Sequence, residues 1–393
     1  MATALVINLL LAPNVYSAPI PPPNVTYFVQ NVSDGCNDLR NCRTMWGIVY
    51  SCLLAIFACV WTAAHPNVPG PNDSIWAFKS PTFKSRFTMV MGSLLSPEVI
   101  LALAWRQFLL SWRISKKCKM VEGWTLTHSY FVVMDGFRVD PVLELPVDLN
   151  DLQKYPAIIE KTGNTRKAAI TKKQILDRSK GDPFSKFIIV VQLLWFITQY
   201  VGRWASHLQR SQLETMTLAY AALCVFLYVL WWHKPVNIQF PIHVMEESPS
   251  VPPTSETNVD QPTPKTETDA DPMSVQVSEP KDMEVMSMFI VTGMIFGGIH
   301  CLAWSFPFPT HTEMILWRVS AIYITVAPVF ITLAGWLSDH VDDDLGMMIM
   351  VLLLLVYAVA RVILLVLTLS SLRSPPPSLY QTPSWSSFLP HFG

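Results

Sequence analysis

Charge is scarce in this sequence. Only 15% of its 393 residues are Asp, Glu, Lys or Arg, against about a quarter in a soluble domain. The net charge is −1, so bulk charge implies neither nucleic acid nor an acidic macromolecule as partner. Catalytic signatures are missing as well. The chain has no Gly-x-Ser-x-Gly elbow, no Walker loop and no His-Glu-x-x-His, which sets aside the common hydrolases, NTPases and zinc proteases. It lacks the paired histidines of a membrane di-iron site, and its cysteine spacing fits no structural zinc site. No catalytic residue, cofactor or metal is implied. No internal repeat is visible, and with it goes the inverted-repeat transporter signature.

What is abundant is apolar surface. Hydrophobic residues make up 51% of the chain and mean hydropathy is +0.33. They fall into runs of roughly twenty, the length a helix needs to cross a hydrocarbon core of about 30 Å. The sequence predicts an all-α, polytopic integral membrane bundle of six or seven helices in the plasma membrane or an endomembrane, with the lipid bilayer as its first partner.

Residues 1–44 read as a signal-peptide core followed by a short exterior segment. Met1 to Leu11 is too short to span. No Lys or Arg precedes it, and bulky Tyr16 stands before the cleavage point after Ala18, so cleaved and retained leaders both stay open. The segment carries glycosylation sequons at Asn24 and Asn31 and two cysteines, Cys36 and Cys42, able to form a disulfide in an oxidising compartment. Cys52, Cys59, Cys224 and Cys301 sit in apolar runs and read as packing residues.

Residues 45–109 hold the first span, Met45 to Ala64, bracketed by Trp46 and Trp61 and stopped by His65-Pro66. A second run, Phe87 to Leu109, is interrupted by Pro97-Glu98 and is either a kinked span or a re-entrant helix. Residues 110–183 are basic and read as cytoplasmic. Thr171 and Gln174 have capping-box spacing, for a short helix expected to end near Gly181 with Asp182-Pro183 starting the next. Its basic faces suit either solvent or anionic headgroups. Residues 184–232 form a helix pair, 233–283 a disordered acidic Pro/Ser/Thr linker, 284–369 three more spans and 370–393 a Pro/Ser-rich tail.

Basic flanks place 110–183 in the cytoplasm, and the sequons place the N-terminus outside. Both hold if the Pro97-Glu98 run does not cross, giving six spans with both chain ends outside. If it crosses, there are seven.

Glu98 and Arg361 each fall inside an apolar run. A charge at a helix centre costs roughly 2.5–3.5 kcal/mol on insertion scales, so each needs protein or water around it. The two are inferred to pair, either as a structural ion pair or as a proton- or ion-linked site. His300, His311 and Arg318 gather around Trp304. They line a ligand or metal pocket, or sit at the headgroup interface, which is the preferred reading. His128 is a lone histidine in a semi-polar loop.

Several strings together carry a resemblance: Cys42-Arg-Thr-Met-Trp46, His65-Pro-Asn-Val-Pro69, Pro97-Glu98, Trp124-Thr-Leu-Thr-His128, Asp177-Arg-Ser-Lys-Gly-Asp182, Trp231-Trp-His-Lys-Pro235, Ile299-His-Cys-Leu-Ala-Trp304 and Leu316-Trp-Arg318. In this order the chain from Cys42 onward resembles a lineage-expanded family of uncharacterised multi-pass membrane proteins of mushroom-forming (basidiomycete) fungi. Met134-Asp135-Gly136 departs from the Met-Gly-Gly expected there. The resemblance implies a fungal source and carries no catalytic residue across. The function expected first is transport or a channel-like role for a small solute or ion around Glu98 and Arg361. The alternatives are a membrane receptor or sensor, then a lipid-modifying enzyme.

Overall fold

In the computed structural model, residues 43–68, 81–139, 145–179, 183–246, 277–341, 343–373 and 377–381 are described. The leader, Asn24, Asn31, Cys36, Cys42, residues 247–276 of the acidic linker and the end of the tail lie outside them. So do Gly181 and Asp182.

The described residues are mostly helical. In chain order the helices are α1 (Met45–Ala63), α2 (Pro81–Leu95), α3 (Pro97–Lys117), α4 (Leu126–Val133), α5 (Lys172–Arg178), α6 (Pro183–Ala205), α7 (Gln212–Leu230), α8 (Asp282–Cys301), α9 (His311–His340) and α10 (Asp343–Ser370). Six short strands accompany them: β1 (Val121–Glu122), β2 (Phe137–Val139), β3 (Leu145–Pro146), β4 (Ile159–Thr162), β5 (Thr165–Ala168) and β6 (Ile242–Val244). Five helices, α6 to α10, are long and apolar enough to cross a membrane by length and composition. The apolar stretches Met45–Trp61 and Arg86–Leu95 are shorter. The chain divides into two compact units, Met1–Val60 with Asp182–Val225 and Ile290–Gly393, and Trp61–Gly181 with Phe226–Phe289.

In the first unit α9 and α10 form an antiparallel hairpin. Tyr323 Oη donates to Leu353 O at 2.9 Å, and Ser370 Oγ donates to Glu313 Oε1 at 3.1 Å. Glycine sets how closely helices approach. A Cβ on Gly297 would lie 2.5 Å from the Thr325 Cα, and one on Gly293 would lie 2.3 Å from the Pro328 ring. Gly293 and Gly297 are four residues apart on one face of α8. This small-xxx-small spacing lets α9 lie directly against the α8 backbone, where close dispersion contacts form. Outward faces are apolar: Leu352, Leu355, Val359 and Val362 of α10 are all exposed.

One end of this unit is tied by polar contacts. Arg43, just before α1, donates its backbone N–H to Tyr380 O at 2.7 Å, and its guanidinium pairs with Glu214 of α7 at 2.7 Å. Arg203, near the end of α6, donates to the carbonyls of Gln209, Leu379 and Gln381. Gln212 Nε2 at the start of α7 donates to Pro307 O, between α8 and α9, at 3.1 Å. The starts of α1, α7 and α9 and the ends of α6, α8 and α10 therefore meet at one end.

The second unit holds structure that the sequence does not announce. The apolar run beginning at Phe87 is two helices rather than one. The break is Ser96 (φ −144, ψ 74), with Pro97 opening α3, because Pro lacks the N–H that a continuing helix would use. α3 runs on past Leu109 to Lys117 and ends in Lys116 and Lys117. Beyond it, β1, β5 and β4 form one small sheet and β3, β2 and β6 another. Both pack on a core including Ile114, Phe131, Phe137, Ile158 and Ile175. The segment read as a basic stretch with one helix is thus a folded α+β piece.

Its caps explain two sequence features. Thr171 and Gln174 cap α5 reciprocally, as their spacing predicts, but the helix closes at Ser179 in extended backbone rather than near Gly181. His128 is not a loop residue. It sits in α4, where its Nδ1 accepts from the Thr125 backbone N–H at 3.1 Å while Nε2 lies 2.8 Å from Ile170 O. That geometry requires the neutral tautomer with its proton on Nε2. Asp135 occupies left-handed backbone (φ 61), a conformation that Asp tolerates better than most residues. A Cβ on the following Gly136 would lie 2.5 Å from Phe131 O. Burial raises the Asp135 pKa, opposed by Arg138 and Lys234.

Two predictions follow from this packing and capping. Gly297→Val should cost about 1–3 kcal/mol by overpacking, whereas Gly298→Ala, whose Cβ meets open space, should be near neutral; thermal unfolding in detergent compares them. Burial holds the His128 pKa below its ordinary value. The unfolded chain takes up that proton near pH 6.5, so this contribution is full above that pH and declines as pH falls through the folded value. The melting temperature should drop between pH 7.5 and 5.5, and His128→Gln, which keeps an acceptor for the cap, should drop less.

Candidate functional site

Arg361 lies in the middle of α10 with 6% of its surface exposed. Its Nη2 donates to Tyr220 Oη of α7 at 2.8 Å. Its guanidinium carbon stands 4.2 Å from the centre of the Phe296 ring of α8, a cation–π contact that strengthens in a dry site. Phe296 is wholly buried and meets the Tyr220 ring edge-on at 5.4 Å. One turn on, His300 is also wholly buried, its ring 4.8 Å from that of Phe296.

His300 Nδ1 lies 2.8 Å from Phe296 O, so Nδ1 carries the proton and donates. Nε2 then keeps a lone pair. It is buried and has no hydrogen-bond partner among the described residues. Trp317 of α9 closes this core, donating Nε1–H to His300 O at 3.2 Å. Four apolar helices thus surround a fixed cation and an imidazole acceptor. Gly293, Gly297 and His300 follow at helical spacing on α8, so the close approach of α9 and the placement of His300 come from the same face.

The other sequence-selected residues take different places. Glu98 is 1% exposed and belongs to the second unit, Arg361 to the first. Glu98, near the middle of its apolar run, is not in the middle of a helix. It stands in the first turn of α3, where the positive end of the helix dipole favours a carboxylate. His300, His311 and Arg318 do not share one environment. Full burial removes His300 from any headgroup. His311 opens α9 and is exposed. Arg318 stands 4.7 Å over the Trp304 ring and donates Nη2 to Trp304 O at 2.8 Å. Among the described residues, no three His, Cys, Asp or Glu side chains gather to hold a metal ion.

Sequence reading missed Tyr220, which looks like one more aromatic in an apolar run. It also missed the most fully bonded of the buried cations, Lys234. Lys234, in the second unit, is 1% exposed and donates to His65 O (2.6 Å), Asn67 Oδ1 (3.0 Å) and Gln107 Oε1 (2.9 Å). Its ammonium also sits 4.6 Å from the Trp231 ring centre. An ammonium has three donors, and here all three are used, so Lys234 is a staple between His65-Pro-Asn67, α3 and Trp231-Trp-His-Lys234. The signal was present in those two strings, which look unrelated until the fold joins them.

No curated protein and no solved structure matches the chain. One family model does, over residues 30–119, 112–251 and 339–392, and its description is a family of unknown function (DUF8562). These segments take in both partners of the Lys234 staple, and Tyr220 and Arg361 as well. Covering more than half of the 393 residues, the match shows that the chain belongs to this family of unknown function, DUF8562.

Proposed function

We propose that this is a multi-pass integral membrane protein that moves a small solute or ion across the bilayer, with Arg361, Tyr220 and His300 as its working site. The observation that carries the reading is the guanidinium of Arg361, buried midway along a helix whose other polar residues lie near its ends. Keeping it there costs roughly 2.5–3.5 kcal/mol on insertion scales. Tyr220 and Phe296 hold it in one orientation, and the bare Nε2 of His300 adds an acceptor in the same core. A fixed donor beside an acceptor is what a polar solute or a proton needs when it leaves water.

Six crossings, made by α1 and α6 to α10, are supported by parity. The Arg43 backbone N–H reaches Tyr380 O, so the chain begins α1 and finishes α10 at the same end of the unit. An even number of crossings satisfies this, with α2 and α3 dipping rather than crossing. Basic residues flanking the other ends of these helices favour an exterior N-terminus, and the string-level resemblance favours a fungal source. The receptor or sensor reading rests on residues 1–42 and the acidic linker, and no geometry among the described residues favours it.

In proteoliposomes assayed for proton and chloride flux, Arg361→Gln should lower transport at least tenfold and Tyr220→Phe a few-fold, with both variants monodisperse in detergent. Undiminished flux in a folded Arg361→Gln protein, or none in the wild type, sinks the reading. Independently, epitope tags at the two chain ends should be protected from protease on the same side of sealed vesicles. Tags on opposite sides mean an odd number of crossings.

A further inference from the structure

The tied end of the first unit gathers more positive charge than it neutralises. Arg43, Arg203 and Arg210 surround one carboxylate, Glu214. Its oxygens are already engaged: Oε1 accepts from Arg43 at 2.7 Å, and Oε2 accepts from Ser211 N at 2.9 Å and Ser211 Oγ at 3.2 Å. Arg203 spends its donors on three carbonyls, with its Nε 3.9 Å from Glu214.

Arg210 is different. Its guanidinium stands over the rings of Tyr200 (5.5 Å), Trp204 (5.6 Å) and Phe306 (5.2 Å). No carboxylate pairs with it among the described residues, and its buried Nε, like those of Arg43 and Arg203, has no hydrogen-bond partner there. Aromatic faces stabilise the cation, and the Tyr200 hydroxyl meets its guanidinium, but no anion faces its planar fork of N–H donors among the described residues. That fork matches a phosphate, which two parallel N–H groups can hold at once.

The surroundings say which phosphate. Below Arg210, α6 exposes a mainly apolar strip at helical spacing, Phe184, Phe187, Val191, Leu194, Val201 and Trp204, in which Thr198 returns its hydroxyl to Leu194 O. Trp204, 53% exposed, belongs to both the strip and the aromatic frame, where an indole suits the bilayer interface. A soluble anion has no use for such a wall, whereas acyl chains do.

We propose that Arg210, framed by Tyr200, Trp204 and Phe306 at the end of α6, binds the phosphate of a membrane phospholipid whose acyl chains lie along the exposed strip of α6. This rests on the reading that α6 crosses a bilayer. The lipid supplies the counter-charge that the three arginines lack, and with it holds the α6–α7 turn against the segment between α8 and α9.

The test is lipid retention by the purified full-length protein in detergent, read by native mass spectrometry during titration with phosphatidylglycerol. The wild type should hold the lipid at least tenfold more tightly than Arg210→Gln, with Arg210→Lys, which keeps charge but not the fork, in between. Diacylglycerol of the same chain length should not bind, and millimolar inorganic phosphate should not displace the lipid. Equal retention by wild type and Arg210→Gln overturns the proposal, as does equal binding of diacylglycerol. Complete displacement by inorganic phosphate overturns the lipid assignment in favour of a soluble anion. Alkaline extraction of membranes reports separately on the underlying reading, since a chain released by it is not integral whatever it binds.

Discussion

The bond between the Arg43 N–H and Tyr380 O, with the Arg43–Glu214 ion pair beside it, fixes the start of the helical bundle to its finish. Glu214 is nearly buried and Arg43 only partly exposed, so water screens the pair less than it would on an open surface. Arg203 extends the tie through backbone carbonyls at Leu379 and Gln381. Removing Glu214 would leave guanidiniums packed together without a counter-charge, which is costlier than losing one contact. Helix direction within the unit follows from this tie: the starts of α1, α7 and α9 lie with the ends of α6, α8 and α10.

The Arg361 core depends on a second constraint, the approach of α9 to α8 over Gly293 and Gly297. Were those positions larger, α9 would stand off, and Trp317 would lose its reach to His300 O. Phe296 lies between the two glycines and His300 one turn after it, so the packing that builds the hairpin also aims these rings at the cation. Pro328 lies opposite Gly293 within α9. Its missing N–H leaves one carbonyl of the preceding turn without its helical donor, which gives α9 a fixed place to bend.

Hydrophobic run length was enough to locate α6 to α10, because a helix in lipid must satisfy its own backbone and no other element competes. It failed where the chain leaves that regime. Pro97 marked an interruption in the run from Phe87, but hydropathy does not change there, so the run could not tell a kink from the full break that Ser96 makes between α2 and α3. The strands of the second unit are two to four residues long, too short for an alternating pattern to rise above chance. β2 pairs with β6 across more than a hundred residues, a pairing that no local signal encodes. Arg361 was legible because a guanidinium in an apolar run is conspicuous. Tyr220 and Phe296 were not, because aromatics in such runs are ordinary. At Asp135 the sequence did flag something real: a position expected to be glycine has left-handed backbone.

The buried polar groups differ most informatively in what they have left to give. Lys234 has three donors and three oxygen acceptors, and Arg203 is held by three carbonyls. Lys234 is satisfied at neutral oxygens, and Arg203 lacks a hydrogen bond only at Nε, which lies 3.9 Å from Glu214, so a ligand would have to displace structure to reach either. His300 Nε2 and Arg210 Nε are buried without a partner among the described residues. An orphaned buried polar atom costs about 1–3 kcal/mol, which a ligand that completes it would recover. One is an acceptor deep among apolar helices, suited to a proton or a polar solute. The other is a donor at the bundle's end beside an exposed tryptophan, suited to a headgroup. Their depths separate the two proposed roles: a solute moving along the bundle would meet His300, and a lipid around it would meet Arg210.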